Sequence, residues 1–409
     1  TVKMSAPVPD WINEEFLQKF TETNFNLNSS ECSIKINSIQ PFGGAGENYS
    51  SALFKVKYEF TNHKNNSNKS LSLIFKSMFD IPFMKQLGIF AKEQATYEKG
   101  IPTLQNVFKS VAGVDVDFGP RCYKLPENCD REVLILEDLT GSNFKSLKRQ
   151  LGLDEEHVKL VLSKMAQFHA ASAVDYDKNG MIDPRFRSII LEFGSKEFFD
   201  QFLNAMLPIF IQSLESWSFG QKYVEKVKKL GFNLFDVFFK AVTPDENGLT
   251  VLNHGDCWIN NLLFTYYEDG RLKDVKFIDY QVSFYGSTPM YDLIYFLFSS
   301  SQLEIKVEKF DEFIQFYHQE LEKNLKLLNY GRAIPTLRDL HMQFLTYGYL
   351  GTQCLSGIVA MVLSEPNENA TFEAFTDANS EKAMDFKKAI YYNERFRDHL
   401  KVLLPFIKY

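Results

Sequence analysis

The sequence predicts an α+β protein of two lobes, a small β-rich N-terminal lobe and a large, mostly helical C-terminal one. Three observations lead there. Short extended runs separated by turn residues fill much of the chain between residues 33 and 138. From residue 153 on, long stretches place apolar residues at helical spacing. A chain of 409 residues can also bury a large core and most naturally divides in two. The expected division is 1–138 and 139–409.

Composition narrows the class. Apolar content of 45% and charged content of 24% are ordinary for a soluble globular protein. The 39 Phe point to large apolar interiors or an apolar ligand cavity, with most of them in the core. A net charge of −7, from 45 basic and 52 acidic residues, leaves no electrostatic footprint for nucleic acid or an anionic membrane. The five cysteines are scattered and form no C-x-x-C, so neither a zinc site nor a disulfide framework is expected. Reduced thiols and a cytoplasmic location fit best. No secretory segment opens the sequence and no apolar run approaches ~18 residues, so no membrane span is expected. The native start is expected at Met4.

The first lobe opens with a helix over 9–25, carrying Trp11, Ile12, Phe16, Leu17 and Phe20 on one face, with Asp10 as its expected N-cap. A strand, a turn and a second strand follow over 33–60. The turn, Pro41-Phe42-Gly43-Gly44-Ala45-Gly46-Glu47-Asn48-Tyr49-Ser50-Ser51, is glycine-rich. Without Cβ atoms, such a tip can bring backbone N–H groups close to phosphates. It departs from G-x-G-x-x-G, and no Gly-Lys-Ser/Thr follows to make a Walker A loop. After an Asn-rich turn, Leu71 to Lys76 reads as a strand closed by a lysine. Residues 90–97 read as helical and contain Lys92 and Glu93. Two short strands, 121–124 and 133–136, end the lobe at Glu137-Asp138-Leu139.

The second lobe begins with a helix over 153–173, capped by Asp154 and striped by Val158, Leu162, Met165 and Phe168. His169 is read as a hydrogen-bonded core histidine. Residues 193–242, 303–327, 342–363 and 389–407 are read as helical. Between them lies the most informative stretch, Val251 to Gln281. Two apolar runs, 261–267 and 275–278, flank the turn Glu268-Asp269-Gly270-Arg271, which reads as a β-hairpin. Its far end would gather Asp256, Asn261 and Asp279. Two carboxylates and an amide oxygen are hard ligands suited to Mg²⁺ on phosphate oxygens. The Asp256-to-Asn261 spacing is D-x-x-x-x-N, as in the protein-kinase catalytic loop, and Asp279 stands where the metal-binding Asp would follow.

His254-Gly255-Asp256-Cys257-Trp258-Ile259-Asn260-Asn261, followed by Asp279-Tyr280-Gln281, resembles the ecdysteroid-kinase-like proteins of insects, relatives of choline kinases and aminoglycoside phosphotransferases. The resemblance implies a two-lobed protein-kinase-like fold, with 1–138 the ATP-binding lobe and 139–409 the catalytic and acceptor-binding lobe. It implies Asp256 as base for the acceptor hydroxyl, Asn261 and Asp279 as Mg²⁺ ligands, and His254 as the residue that orders the loop. It implies the glycine-rich turn (Gly43, Gly44, Gly46, Asn48, Ser50) over ATP, and Lys76 on the phosphates with Glu93 as its partner. Lys92 is a competitor for the role of Lys76. Glu137 to Leu139 would be the hinge at the adenine, and Asp292 a brace for the catalytic loop. The acceptor implied is a small-molecule alcohol, an ecdysteroid or a phenolic or glycosidic xenobiotic in detoxication. The alternatives are a catalytically silent kinase-fold binding protein and a choline- or ethanolamine-type kinase. Retention of Lys76, Asp256 and Asp279 argues against the silent reading. The absence of G-x-S-x-G argues against a serine hydrolase, and no A-P-E follows Asp279 to suggest a protein kinase.

Overall fold

In the computed structural model the described residues are 7–43, 51–79, 81, 85–189, 191, 196–245, 248–367, 374, 375, 377 and 379–406. Gly44, Gly46, Asn48 and Ser50 lie outside them. The chain forms two compact units, one from residues 1–90, 120–144 and 366–368, the other from 91–119, 145–365 and 369–409. The α+β class holds, with an antiparallel sheet in the first unit and a mostly helical second unit. Glu93 belongs to the second unit, Lys76 to the first.

The first unit is a helix on a five-stranded sheet. Helix α1 (Glu14–Phe25) precedes β1 (Cys32–Phe42), β2 (Ser51–Asn62), β3 (Ser67–Met78), β4 (Cys122–Tyr123) and β5 (Val133–Glu137). The sheet is antiparallel in the order β1-β2-β3-β5-β4. Alternation along the strands sends Phe54, Val56, Leu73, Phe75 and Ile135 to one face, where Leu17 and Phe20 of α1 complete the core. The N-cap of α1 is Asn13 rather than Asp10. The Asn13 side chain accepts the Phe16 N–H at 3.1 Å, while Asp10 sits a turn upstream and offers its carbonyl to the Asn13 amide at 3.0 Å.

Helix α2 (Ile89–Ala95) runs from the end of the first unit's 1–90 segment into the second unit, which contains α3 (Ile101–Ala112), α4 (Glu155–Asn179), α5 (Lys196–Glu215) and α6 (Val224–Val242). Asp154 caps α4 as expected, accepting from the His157 N–H at 3.1 Å. The four strands β6 (Val251–Asn253), β7 (Leu262–Tyr266), β8 (Leu272–Phe277) and β9 (Phe284–Gly286) form two antiparallel pairs, β6 with β9 and β7 with β8. They are followed by α7 (Met290–Ser300), α8 (Leu303–Lys306), α9 (Phe310–Leu327) and α10 (Leu337–Tyr347).

Several stretches read as helical are interrupted. The 193–242 stretch breaks between α5 and α6, where a Cβ on Gly220 would lie 2.3 Å from the Leu214 carbonyl. The 303–327 stretch breaks between α8 and α9, and 342–363 passes through a π-helical turn at Leu355–Val359. Helical periodicity survives such breaks because the apolar face stays buried across them, so sequence spacing alone does not locate them.

Candidate active site

The β7–β8 hairpin of the second unit forms as the sequence predicts, with Leu262 opposite Phe277 and Phe264 opposite Val275. At its open end the Ile278 N–H donates to the Asn261 carbonyl at 3.0 Å, which places Asp279 beside Asn261. Asp279 itself adopts φ 66°, a left-handed conformation that Asp tolerates better than most residues.

Asp256 stands on the loop before β7, and its carboxylate is gripped from three sides. The Asn261 Nδ2 donates to Oδ2 at 2.9 Å, and also to the Asp256 main-chain carbonyl at 2.9 Å. The Trp258 Nε1 donates to Oδ2 at 3.2 Å and the Tyr295 hydroxyl to Oδ1 at 2.5 Å. Burial and the neighbouring Asp279 carboxylate push the Asp256 carboxyl up to about 7, against the lowering effect of those three donors. Asp256, Asn261 and Asp279 are thus brought together.

His254 orders this loop from within. It is buried, and burial holds its imidazole below the ordinary histidine value despite Asp292 and Asp279. The neutral ring has one tautomer that satisfies both neighbours: Nδ1 accepts the Asp256 N–H at 3.2 Å, so Nε2–H donates to the Ile278 carbonyl at 3.1 Å. One imidazole therefore joins the Asp256 loop to the strand end that carries Asp279. Gly255 has φ +84°, and a Cβ there would come within 2.4 Å of the Val282 carbonyl, so only glycine fits.

Asp292, two residues into α7, supports the loop from below. Its Oδ2 accepts the His254 N–H at 2.6 Å and its Oδ1 the Gly255 N–H at 2.9 Å. His169 on α4 contacts the same Oδ2 at 3.2 Å and bonds to the Tyr317 hydroxyl at 2.7 Å. His169 is thus a satisfied core residue. Cys257 is fully buried, and burial pushes its thiol well above the ordinary value, so it is not a reactive thiolate.

The remaining expected residues are spread over both units. Lys76 is buried on β3 and pairs in register with Leu53 and Leu134. Gly43 follows β1 with φ 94°. Glu137 ends β5, and Leu139 opens the 3₁₀ turn Leu139–Ser142. In the second unit Glu93 is buried on α2, and the adjacent Lys92, also buried, donates to the Arg187 carbonyl at 2.6 Å. That bond lies within the second unit.

Two contributors to the site were not assigned from sequence. Trp258 lies inside the motif, but its indole contact with Asp256 depends on how the loop folds back. Tyr295 is 39 residues from Asp256 in the chain. It does lie three residues after Asp292, hence on the same side of α7, and that spacing was the available signal.

Among the described residues no three His, Cys, Asp or Glu side chains gather to hold a metal. A metal here would have two protein ligands, Asn261 and Asp279, and take the rest from phosphate oxygens and water. Mg²⁺ is bound in that way by one or two carboxylates plus substrate phosphates. Both hydrogen bonds donated by the Asn261 Nδ2 go to Asp256, which leaves the amide oxygen as the ligand atom. The donor set fits Mg²⁺.

Residues 45–330 match the sequence model of the ecdysteroid kinase-like family. No curated protein matches the chain. Solved structures that resemble it include a thermostable mutant of an aminoglycoside phosphotransferase in ternary complex with ADP and hygromycin B. That pair is 11% identical, with 85% of this chain and 97% of the other covered, at a TM-score of 0.31. A mutant aminoglycoside 2'-phosphotransferase in its GDP complex is 12% identical, with 86% and 95% covered, at a TM-score of 0.37. At such scores the likeness has no bearing on function.

Proposed function

The chain belongs to the ecdysteroid kinase-like family, and from that premise we propose that it transfers the γ-phosphoryl group of Mg·ATP to the hydroxyl of a small-molecule alcohol. The observation that carries this reading is the Asp256 carboxylate, held by three donors beside Asn261 and Asp279 at one end of a hairpin. Asp256 is the base. Its oriented carboxylate accepts the proton of the acceptor hydroxyl as the new P–O bond forms and ADP leaves. Asn261 and Asp279 hold Mg²⁺, which when bound neutralises charge on the phosphate oxygens. Lys76, buried near the end of β3, is proposed to supply positive charge to the α- and β-phosphates. The glycine-rich turn, of which Gly43 lies among the described residues, is proposed to act on the phosphates, and the segment from Glu137 to Leu139 on the base. Phosphoryl transfer asks mainly for positioning and charge stabilisation, which is what these groups provide.

The acceptor we propose is an ecdysteroid or a phenolic or glycosidic xenobiotic, taken by the helical segments of the second unit, with residues 1–138 acting on ATP. Family membership and the Phe-rich helices support it. The site is proposed to act in the cytoplasm; among the described residues no helix is long and apolar enough to cross a membrane. The test is Mg·ATP consumption against a panel of ecdysteroids, phenols, phenolic glycosides and choline, with mass spectrometry for the phosphorylated product. A phospho-steroid or phospho-phenol supports the reading. A phosphocholine product, or clear ATP binding with no turnover on any acceptor, counts against it.

A further inference from the structure

The two faces of the first unit's sheet differ in kind. One carries the apolar core under α1. Residues directly opposite in a ladder share a face, so the other carries Leu53 and Lys55 of β2, Ile74 and Lys76 of β3, and Leu134 and Leu136 of β5. An aliphatic floor with lysines at its side suits a purine nucleotide. Lys76 has a proposed role on that face. Lys55 does not.

Lys55 is engaged with the segment that follows β5. Its ammonium lies 2.7 Å from Asp138 Oδ2 and donates to the Thr140 hydroxyl at 2.7 Å. The pair is well buried, with side chains 13% and 2% exposed. Ser72 donates to Asp138 Oδ2 at 2.6 Å, and the Thr140 N–H and hydroxyl donate to Oδ1 at 3.1 and 2.6 Å. Burial pushes the Asp138 carboxyl up, but Lys55, Ser72 and Thr140 together hold it below its ordinary value. Asp138 thereby caps the turn Leu139–Ser142. The same ammonium sits 5.4 Å from the Phe42 ring centroid, immediately before Gly43. One lysine thus ties the Glu137–Leu139 segment to the residue that leads into the glycine-rich turn.

The capped turn determines which backbone groups remain for a ligand. The Glu137 N–H goes to the Arg121 carbonyl at 2.8 Å and the Asp138 N–H to the Ser72 carbonyl at 3.2 Å. The N–H of Leu139, first in its turn, has no intrahelical acceptor. An N–H donor matches the unprotonated N1 of adenine and opposes the N1–H of guanine.

We propose that Lys55 is a positioning residue for the nucleotide base: through Asp138 it fixes the backbone of Glu137 to Leu139, and so sets the preference for adenine over guanine. This rests on the nucleotide reading above. Without Lys55 the Asp138 carboxylate loses its counter-charge while remaining buried, a costly state that the turn relieves by moving.

The test is isothermal titration calorimetry of the full chain with Mg·ATP and with Mg·GTP. Wild type is expected to prefer ATP. Lys55→Met should weaken ATP binding about tenfold and bring the ATP-to-GTP affinity ratio toward one. Lys55→Arg should restore most of both, and so in part should Lys55→Met combined with Asp138→Asn, which removes the uncompensated charge. Lys57→Met, on an exposed position of the same strand, should change neither. If Lys55→Met does not fold, Asp138→Ala with Lys55 retained carries the comparison, since it removes the same tie, and wild-type affinity and ratio in that variant overturn the proposal. A folded Lys55→Met with wild-type affinity and ratio overturns it too, leaving the nucleotide reading standing. A wild-type chain that binds neither nucleotide overturns that reading, and this proposal with it.

Discussion

The Tyr295 hydroxyl donates to Asp256 Oδ1 at 2.5 Å, and the Tyr295 ring stacks on Tyr291 with centroids 6.0 Å apart. The Asp256 carboxylate is therefore held by a side chain that is itself held by packing. Tyr295→Phe keeps the ring and removes the donor. Turnover of Mg·ATP should fall about tenfold, the scale of one hydrogen bond to a charged group, with the KM for ATP unchanged. Steady-state kinetics check this. A rise in KM with kcat intact would place Tyr295 in nucleotide binding instead.

Asp256→Asn should lower turnover by about 10² to 10⁴-fold while leaving ATP affinity nearly intact, because a neutral amide cannot accept the acceptor's proton. Nucleotide titration beside the kinetics separates the two quantities. Equal loss of both would remove Asp256 from the base role.

Asp279→Ala should act on nucleotide affinity only when Mg²⁺ is present. Titrations of ATP with and without excess EDTA read the difference. Unchanged affinity with Mg²⁺ would exclude Asp279 as a ligand.

The raised pKa of Asp256 carries a stability consequence with a definite sign. Its folded value, about 7, lies above its ordinary 3.8. The folded state therefore binds the proton more tightly than the unfolded state, so stability is lost as pH rises from about 4 to about 7 and the loss is complete above. Asp256→Asn escapes it. In EDTA, the variant's melting temperature should gain on wild type across that window and then level off. A gap independent of pH would show that the carboxylate is not paying a burial penalty.

Asp292→Ala should destabilise the chain by about 3 kcal/mol or more, since two buried N–H groups and His169 would lose their acceptor. Denaturant unfolding measures this. A change under about 0.5 kcal/mol, the range of ordinary surface substitutions, would mean that the loop is braced elsewhere.

Much of the fold and half of the site were legible because they are local. The β7–β8 hairpin needs only alternating apolar residues and a polar turn. The cap on α4 needs only Asp154 before an apolar stripe. The motif from His254 to Asn261 supplies two of the three residues at the hairpin's end within eight positions, and the hairpin delivers Asp279. The cap on α1 was misplaced because Asp10 and Asn13 are equally good caps by residue type, and only the path of the chain chooses between them.

Sequence by itself determined the family, the α+β class and the gathering of Asp256, Asn261 and Asp279 at one end of a hairpin. These follow from short-range spacing and residue chemistry, whereas the need for glycine at 255 comes from the Val282 carbonyl packed against it. Tertiary structure alone decided that Tyr295 reaches Asp256 across 39 residues, that Lys55 meets Asp138 across a sheet, and that Lys92 turns to Arg187. Such pairings depend on which faces of α7, β2 and α2 point inward. A side chain's partner across the fold is set by packing; the spacing from Asp292 marks the side of α7 on which Tyr295 lies, but not what it meets.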